Sequence, residues 1–143
     1  GLVTAVQADG TVEDGVVVSG GKVYLSKAIS GWAVVGYRYT GTLETMPLEV
    51  PADMTAQGKR KRVTAVSVRL FETREAWWGP SAERQDGPVA GTSLWRTASP
   101  GDWTDHRVAF PAGWEKPGRV CITFPEPYPA TVLEIMPEVI VGG

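Results

Sequence analysis

The only histidine of the chain is the first candidate for acid–base catalysis or metal binding. His106 follows Asp102 and Asp105, so a catalytic dyad or a metal site is one interpretation. A protein metal site usually has three or more protein ligands, oriented by a second shell of hydrogen bonds. The chain offers no second histidine, so we favour a histidine at the start of a strand, and we expect no metal and no other cofactor.

The only cysteine is the candidate nucleophile. Cys121 lies between Val120 and Ile122 in an apolar strand pattern. A nucleophilic cysteine needs exposure, a lowered pKa and a base, whereas a cysteine in an apolar strand behaves as a small buried hydrophobic residue. We therefore expect Cys121 to be buried and inert.

Four acidic residues could in principle form the carboxylate pair of a glycoside hydrolase: Glu72, Glu75, Glu83 and Asp86. That chemistry needs two carboxyl groups about 5 to 9.5 Å apart across a cleft, and none of these residues lies in a distinctive motif. The sequence also lacks a Walker loop, a dinucleotide-binding glycine motif, a nucleophile elbow and an EF-hand loop. The sequence therefore predicts no enzyme and no catalytic residues.

One dense run of positive charge consists of Lys59, Arg60, Lys61 and Arg62. It can be a solvated loop, it can contact phosphates, or it can pair with acids of a neighbouring subunit. No aromatic residue is interleaved within the run, which weakens the case for a platform that binds single strands. These three interpretations stay open at this stage.

The surroundings of this run are also unbalanced in charge. The window 58–74 holds six basic residues against Glu72 alone, while the last eighteen residues hold three glutamates and no base. In a ring of identical subunits, a basic flank on one copy can face an acidic flank on the next. This contrast is the basis of the interface interpretation, and DNA phosphates passing a channel are the alternative.

Tryptophan is unusually frequent, with six residues in the chain. Four of them lie between residues 74 and 105: Trp77, Trp78, Trp95 and Trp103. Because that stretch has no regular pattern, we expect them to be ligand or interface aromatics more than core residues. Exposed tryptophans that stack on sugar rings would make the chain a carbohydrate-binding β-sandwich, which is the alternative function.

The elements that must position these residues are short strands. The 17 glycines and 11 prolines punctuate apolar segments and leave little room for long helices. Period-two patterns and turn dipeptides predict eight to ten strands, the clearest being Val63–Thr73 and Thr131–Val141. Asp53–Lys59 could form one or two helical turns, which Gly58 would limit. The predicted fold is all-β, an antiparallel β-sandwich or a barrel-like domain with at most one or two short helices.

The pattern of apolar residues and prolines also predicts the core, one hairpin and one edge or bent strand. The predicted core residues are Val66, Val68, Leu70, Ile122, Leu133 and Ile135. We expect Arg107–Phe110 and Arg119–Phe124 to form a hairpin, and we expect Thr131–Val141 to be an edge strand or to bend at Pro137, which cannot donate to a ladder.

The length of 143 residues fits a single all-β domain spanning residues 1–143. The net charge of −2 argues against a domain that coats nucleic acid with its whole surface. No apolar run approaches the ~18 residues of a membrane span. Because a strand pattern begins almost at Gly1, we expect the chain to be a fragment of a longer protein.

Several short motifs follow one another in a recognisable order along almost the whole chain. The set comprises Val6-Gln7-Ala8-Asp9-Gly10, Val35-Gly36-Tyr37-Arg38-Tyr39, Gly58-Lys59-Arg60-Lys61-Arg62-Val63, Phe110-Pro111-Ala112-Gly113-Trp114, Gly118-Arg119-Val120-Cys121-Ile122 and Leu133-Glu134-Ile135-Met136-Pro137-Glu138-Val139. Their order and spacing resemble the C-terminal region of the tail nozzle proteins of short-tailed bacteriophages and prophages. These proteins are also called tail hub, phage stabilisation or tail tubular proteins.

The resemblance implies a structural role in the virion and no catalytic residues. Proteins of that family form a hexameric ring at the distal end of the tail tube and extend the DNA channel. The implied partners are other copies of the tail protein and neighbouring tail proteins, with transient contact to phage DNA. The implied location is the phage tail, after assembly in the host cytoplasm. Under the alternative function, the partner is a host surface glycan.

Overall fold

The structure, a computed structural model, describes residues 1–49, 58–86 and 103–142. Eleven strands run through these residues, and all pairings between them are antiparallel. The described part of the chain contains no helix. The predicted all-β, antiparallel fold is therefore confirmed. Most of the helix expected at Asp53–Lys59 lies outside the described residues.

The backbone contacts divide the chain into two compact units. Unit 1 consists of Gly1–Thr40 together with Glu126–Tyr128, and unit 2 consists of Gly41–Pro125 together with Pro129–Gly143. Each unit has its own strands and its own sheet or sheets. The expectation of a single domain stays a prediction.

Unit 1 is built on one four-stranded sheet. Its strands are β1 (Leu2–Gln7), β2 (Val12–Ser19), β3 (Lys22–Val23) and β4 (Ala33–Gly36), in the spatial order β3-β2-β1-β4. Short turns join β1 to β2 and β2 to β3. In the first turn Asp9 Oδ1 accepts a hydrogen bond from Thr11 N at 2.8 Å, and Gly10 has a φ of 87°. Such a positive φ suits glycine, so Asp9-Gly10 sets this turn.

Unit 2 contains two sheets. The first has the order β5-β10-β7-β8, from β5 (Gly41–Glu44), β7 (Trp77–Ser81), β8 (Arg84–Asp86) and β10 (Cys121–Phe124). The second has the order β11-β6-β9, from β6 (Lys61–Phe71), β9 (Trp103–Ala109) and β11 (Thr131–Val141). Strands β7 and β8 lie in a stretch whose sequence showed no regular pattern, which is why the structure has more strands than expected.

The two sheets of unit 2 enclose one hydrophobic core, as in a β-sandwich. Val66, Val68 and Leu70 of β6 and Ile122 of β10 are all fully buried in it, as predicted. Trp78 also lies in this core, and its Nε1 donates a hydrogen bond to the carbonyl oxygen of Ala109 at 3.1 Å. The core therefore holds together strands from both sheets.

The predicted core position of Leu133 is wrong, because Leu133 is 54% exposed. The ladder between β11 and β6 shifts register between Val132 and Glu134, so Leu133 is an extra residue in a β-bulge. The bulge turns Leu133 outward while Val132 and Ile135 pack against the core. Ile135 contacts the core but is only half-buried, so its predicted core position is confirmed in part.

The predicted hairpin between Arg107–Phe110 and Arg119–Phe124 is also wrong. Strand β9 pairs with β6 in one sheet, and β10 pairs with β5 and β7 in the other. The chain therefore crosses the sandwich between β9 and β10. The expectation for Pro137 is confirmed, because β11 is an edge strand of its sheet.

The hairpin of β7 and β8 depends on one glycine. A Cβ atom on Gly79 would lie 1.9 Å from the carbonyl oxygen of Arg84 and 2.7 Å from the Cα atom of Gln85. No side chain fits in that space, so the close approach of the two strands requires glycine at position 79.

Candidate functional site

The basic run does not form one continuous exposed patch. Lys61 is the first residue of β6, is only 2% exposed, and donates from Nζ to the carbonyl oxygen of Lys116 at 3.3 Å. Arg60 and Arg62, on either side of it, are exposed, and Lys59 is half-buried. The strand therefore points Lys61 inward and its two arginine neighbours outward.

One ion pair joins the basic segment to the acidic end of the chain, and it lies between Arg69 and Glu134 of unit 2. Strand β6 pairs directly with β11, so Arg69 lies opposite Glu134 and donates to it at 3.0 Å. On its other side, Arg69 makes a two-pronged ion pair with Asp105 of β9, at 2.8 and 3.0 Å. This row of charges stabilises the outer face of its own sheet, so it does not by itself indicate a contact with a second subunit.

A second ion pair continues on the same outer face. Arg107 of β9 donates to both carboxylate oxygens of Glu138 of β11, at 2.6 and 2.8 Å. The hydrogen bond from Arg107 lowers the pKa of Glu138, and that from Arg69 lowers the pKa of Asp105. All four side chains are therefore charged at neutral pH and are engaged in ion pairs with one another.

His106 faces inward rather than into a polar site. It lies opposite Val68 in the ladder, so its side chain is on the same face of the sheet as the core residues. Burial lowers the pKa of His106, and the neighbouring charge of Asp105 opposes that shift only in part. The imidazole is therefore neutral at neutral pH. Asp102, its other predicted partner, lies outside the described residues.

Cys121 is fully buried, as predicted. Burial raises the pKa of its thiol above the ordinary value, and the negative charge of Glu44 acts in the same direction. Gln85 Nε2 lies 3.7 Å from Sγ. A thiol in these surroundings remains protonated and cannot act as a nucleophile at neutral pH.

The four candidate tryptophans do not form one surface. Trp78 is a core residue, so its assignment as a ligand or interface aromatic is wrong. Trp77 is half-buried, and its Nε1 donates to Glu75 Oε1 at 3.1 Å. Trp95 and the side chain of Trp103 lie outside the described residues.

The acidic candidates do not form a metal-binding cluster in the parts of the chain that the structure covers. Within residues 1–49, 58–86 and 103–142, no group of three or more His, Cys, Asp or Glu side chains could hold a metal ion. Glu75 accepts the hydrogen bond from Trp77, and a hydrogen bond from Ser81 lowers the pKa of Glu83.

An exposed aromatic surface in unit 1 was not anticipated from the sequence. Strand β4 has one neighbour in its sheet, β1, so its other edge carries no strand from the described residues. The side chains on and beside β4 are exposed, Tyr37 to 82% and Val34 to 61%. We call this set the β4 surface: Trp32, Val34, Val35, Tyr37 and Tyr39.

The β4 surface continues onto one face of the sheet. The register places Val12, Val6 and Val34 directly opposite one another on three neighbouring strands, so they share a face. At the other end of that face, Leu2 lies opposite Val17, and both are exposed. An apolar row therefore extends from the edge across the sheet.

Charge is nearly absent from the β4 surface. Residues 28–37 contain no charged side chain. Arg38, the one charged residue among the aromatics, is ion-paired with Asp14 and with Glu126, the latter at 2.8 Å. The signal in the sequence is this uncharged ten-residue segment, which contains Trp32 and Tyr37. A strand prediction alone does not distinguish such a segment from a buried strand.

No family model matches the chain, and no curated protein matches it. In the part of the chain that the structure describes, there is no helix long and apolar enough to cross a membrane.

Proposed function

We infer that this chain is a structural module of a phage tail nozzle or tail hub, in which it mediates subunit assembly or the attachment of tail components. The β4 surface is the observation that carries the assembly role. The ordered motifs that resemble the nozzle family carry the assignment to a phage tail. On this proposal the partners are other copies of the tail protein and neighbouring tail proteins, and the location is the virion.

The physical argument starts from the edge of β4. An edge strand exposes unpaired N–H and C=O groups, and soluble proteins usually protect such edges with lysine, proline, bulges or a covering loop. Strand β4 consists of Ala33, Val34, Val35 and Gly36, so it carries none of the protecting side chains. An extended segment of a partner can add to this edge and form main-chain hydrogen bonds.

The side chains around the edge fit the same role. Tyrosine and tryptophan are enriched among residues that dominate binding energy at protein interfaces. Trp32, Tyr37 and Tyr39 are all more than half exposed in the described structure. Contiguous exposed apolar area is rare on proteins that act alone and marks interaction surfaces. The proposal therefore assigns the β4 surface to contact with another protein of the assembly.

A charge placed on β4 tests this assignment. Val34→Lys puts a charge on an already exposed position, so unit 1 should fold normally while pairing at the edge is disfavoured. Leu133→Lys is the matched control, because Leu133 is similarly exposed but lies in unit 2. Sedimentation velocity over increasing concentration should show self-association of the unmodified chain and of Leu133→Lys, and a monomer for Val34→Lys. Equal association of all three proteins would exclude the β4 surface as the contact.

Carbohydrate binding has one observation in its favour. The exposed rings of Tyr24, Trp32 and Tyr37 in unit 1 could stack on sugars. The core position of Trp78, however, removes one of the tryptophans on which this alternative is based. A glycan array probed with the chain and with Trp32→Ala separates the two functions. A bound glycan that is lost in Trp32→Ala supports sugar recognition, and an array without signal supports the assembly role.

A further inference from the structure

We propose that the outer face of unit 2, where β6 begins, is a binding site for single-stranded nucleic acid. Arg60 and Arg62 contact the phosphates, and Trp114 stacks on a base. This site is independent of the proposed assembly role, since it lies in unit 2 and uses none of the residues of the β4 surface.

Within the described residues, Arg60 and Arg62 have no carboxylate as an ion-pair partner, unlike most of the other arginines. Five arginines form ion pairs: Arg38, Arg69, Arg84, Arg107 and Arg119. Within the described residues, neither the Arg60 nor the Arg62 side chain has an ion pair or a hydrogen bond, and both are exposed. Their guanidinium groups are therefore available to an anion from outside the chain, and guanidinium groups bind phosphate with paired hydrogen bonds.

The spacing of the two arginines suits a strand of nucleic acid. Because Lys61 between them points inward, Arg60 and Arg62 project from the same outer face. Two residues along a strand span roughly 6.7 Å. That is about the length of two stacked nucleotides, at about 3.4 Å per nucleotide of one strand.

A backbone bridge brings Trp114 next to the start of β6, where the two arginines lie. Lys61 N donates to the carbonyl oxygen of Glu115 at 2.6 Å, and Glu115 N donates to the carbonyl oxygen of Lys61 at 2.8 Å. This antiparallel bridge places Trp114 beside Arg62 in register. Trp114 is 45% exposed, so one part of its indole is covered and the rest is open to solvent.

The covered part of the indole lies against Gly142. Gly142 N donates to the carbonyl oxygen of Arg60 at 2.8 Å, on the opposite side of β6 from Glu115. A Cβ atom at Gly142 would lie 2.9 Å from Cζ3 of Trp114 and 3.3 Å from Cε3. The indole therefore reaches from the Arg62 side of β6 to Gly142 on the other side of the strand, and it can do so because residue 142 has no side chain.

The surroundings contain little that would repel a phosphate. Glu115, next to Trp114, is ion-paired with Arg84 at 3.0 Å. Glu138, two residues before Ile140, is ion-paired with Arg107. Ile140 lies opposite Arg62 and is 51% exposed, so it adds an apolar surface on which a sugar or a base can rest.

The combination of groups selects a single strand over other polyanions. Proteins that bind single strands combine a positive surface that follows the backbone with aromatic rings on which bases stack. A duplex hides the faces of its bases, and a polyanion without rings, such as polyglutamate, has nothing to stack on Trp114. The basic run alone did not predict this site, because its aromatic partner is more than fifty positions away in the sequence.

The test measures the fluorescence anisotropy of a 5′-fluorescein dT15 oligonucleotide titrated with the chain in 50 mM salt. Arg60→Ser/Arg62→Ser should weaken binding at least tenfold. The matched control Arg107→Ser/Arg119→Ser removes the same charge from arginines that are already ion-paired, and it should change binding less than twofold. The slope of log affinity against log salt should fall by about 1.4 in the first variant, since each lost phosphate contact on a single strand contributes about 0.7.

The aromatic half of the site needs its own variant. Trp114→Leu keeps an apolar side chain over Gly142 and removes the stacking surface, so it should weaken dT15 binding several-fold while far-ultraviolet dichroism stays unchanged. The proposal is overturned by the absence of dT15 binding, by an equal loss in the control variant, or by duplex DNA or polyglutamate binding as tightly as dT15.

Discussion

Arg69 donates from Nη1 to Glu134 Oε2 at 3.0 Å, and this contact joins the basic strand β6 to the acidic strand β11. Because both side chains are partly exposed, salt should screen their attraction. We expect Arg69→Met to lower the thermal midpoint slightly at low salt, and the difference should disappear in 1 M NaCl. Arg62→Met, at an arginine of the same strand without an ion pair in the described residues, is the control and should leave the midpoint unchanged. A difference that persists in 1 M NaCl would mean that Arg69 acts through packing instead.

Leu70 and Leu133 have the same side chain but opposite environments, which gives a direct test of the core. Leu70→Ala removes a fully buried side chain and should cost about 2 to 5 kcal/mol of unfolding free energy. Leu133→Ala removes an exposed side chain in the bulge and should cost at most about 0.5 kcal/mol. Urea unfolding of both variants measures the contrast. Similar losses would mean that the bulge at Leu133 is placed incorrectly.

Cys121 should react slowly with thiol reagents in the native protein. Burial keeps the thiol inaccessible and protonated. Labelling with Ellman's reagent at pH 8 should be complete within minutes in 6 M guanidinium chloride and at least a hundredfold slower without denaturant. Rapid native labelling would contradict the buried position of Cys121.

His106 should make the chain less stable as the pH falls. Its pKa is lowered by burial in the folded state, so below about pH 6.5 the unfolded chain binds more protons than the folded one. The stability associated with a neutral imidazole is therefore present above that pH and is lost as the pH falls through the folded-state pKa. Urea midpoints at pH 7.5 and 5.5 should differ more for the unmodified chain than for His106→Gln. An equal or larger difference in His106→Gln would exclude this role.

The sequence predicted the strands well where local patterns set them. Thr131–Val141 begins and ends at the predicted residues. The burial of Val66, Val68 and Leu70 follows from the alternation of residues 66–71 in β6. Turn chemistry at Asp9-Gly10 also suffices for the first hairpin, because the φ requirement of the turn is local.

Features that depend on distant residues were not predictable in this way. The bulge at Leu133 arises from the register between β11 and β6, which the pattern of β11 alone does not contain. The inward position of Lys61 and the approach of Trp114 both depend on the bridge to Glu115, far along the chain. The charge contrast suggested a contact between subunits because nothing in the sequence indicates that β6 and β11 are neighbours.

The most direct test of the proposed structural role is to locate the chain on virus particles. Antibodies raised against the purified chain can be coupled to gold and applied to particles released by a host strain that carries the gene. We predict that electron microscopy will show gold at one pole of each intact particle, at the end of the tail, and that mass spectrometry of gradient-purified particles will detect the chain. Unlabelled particles from which the chain is absent, with the chain found only in the lysate, would contradict the proposal.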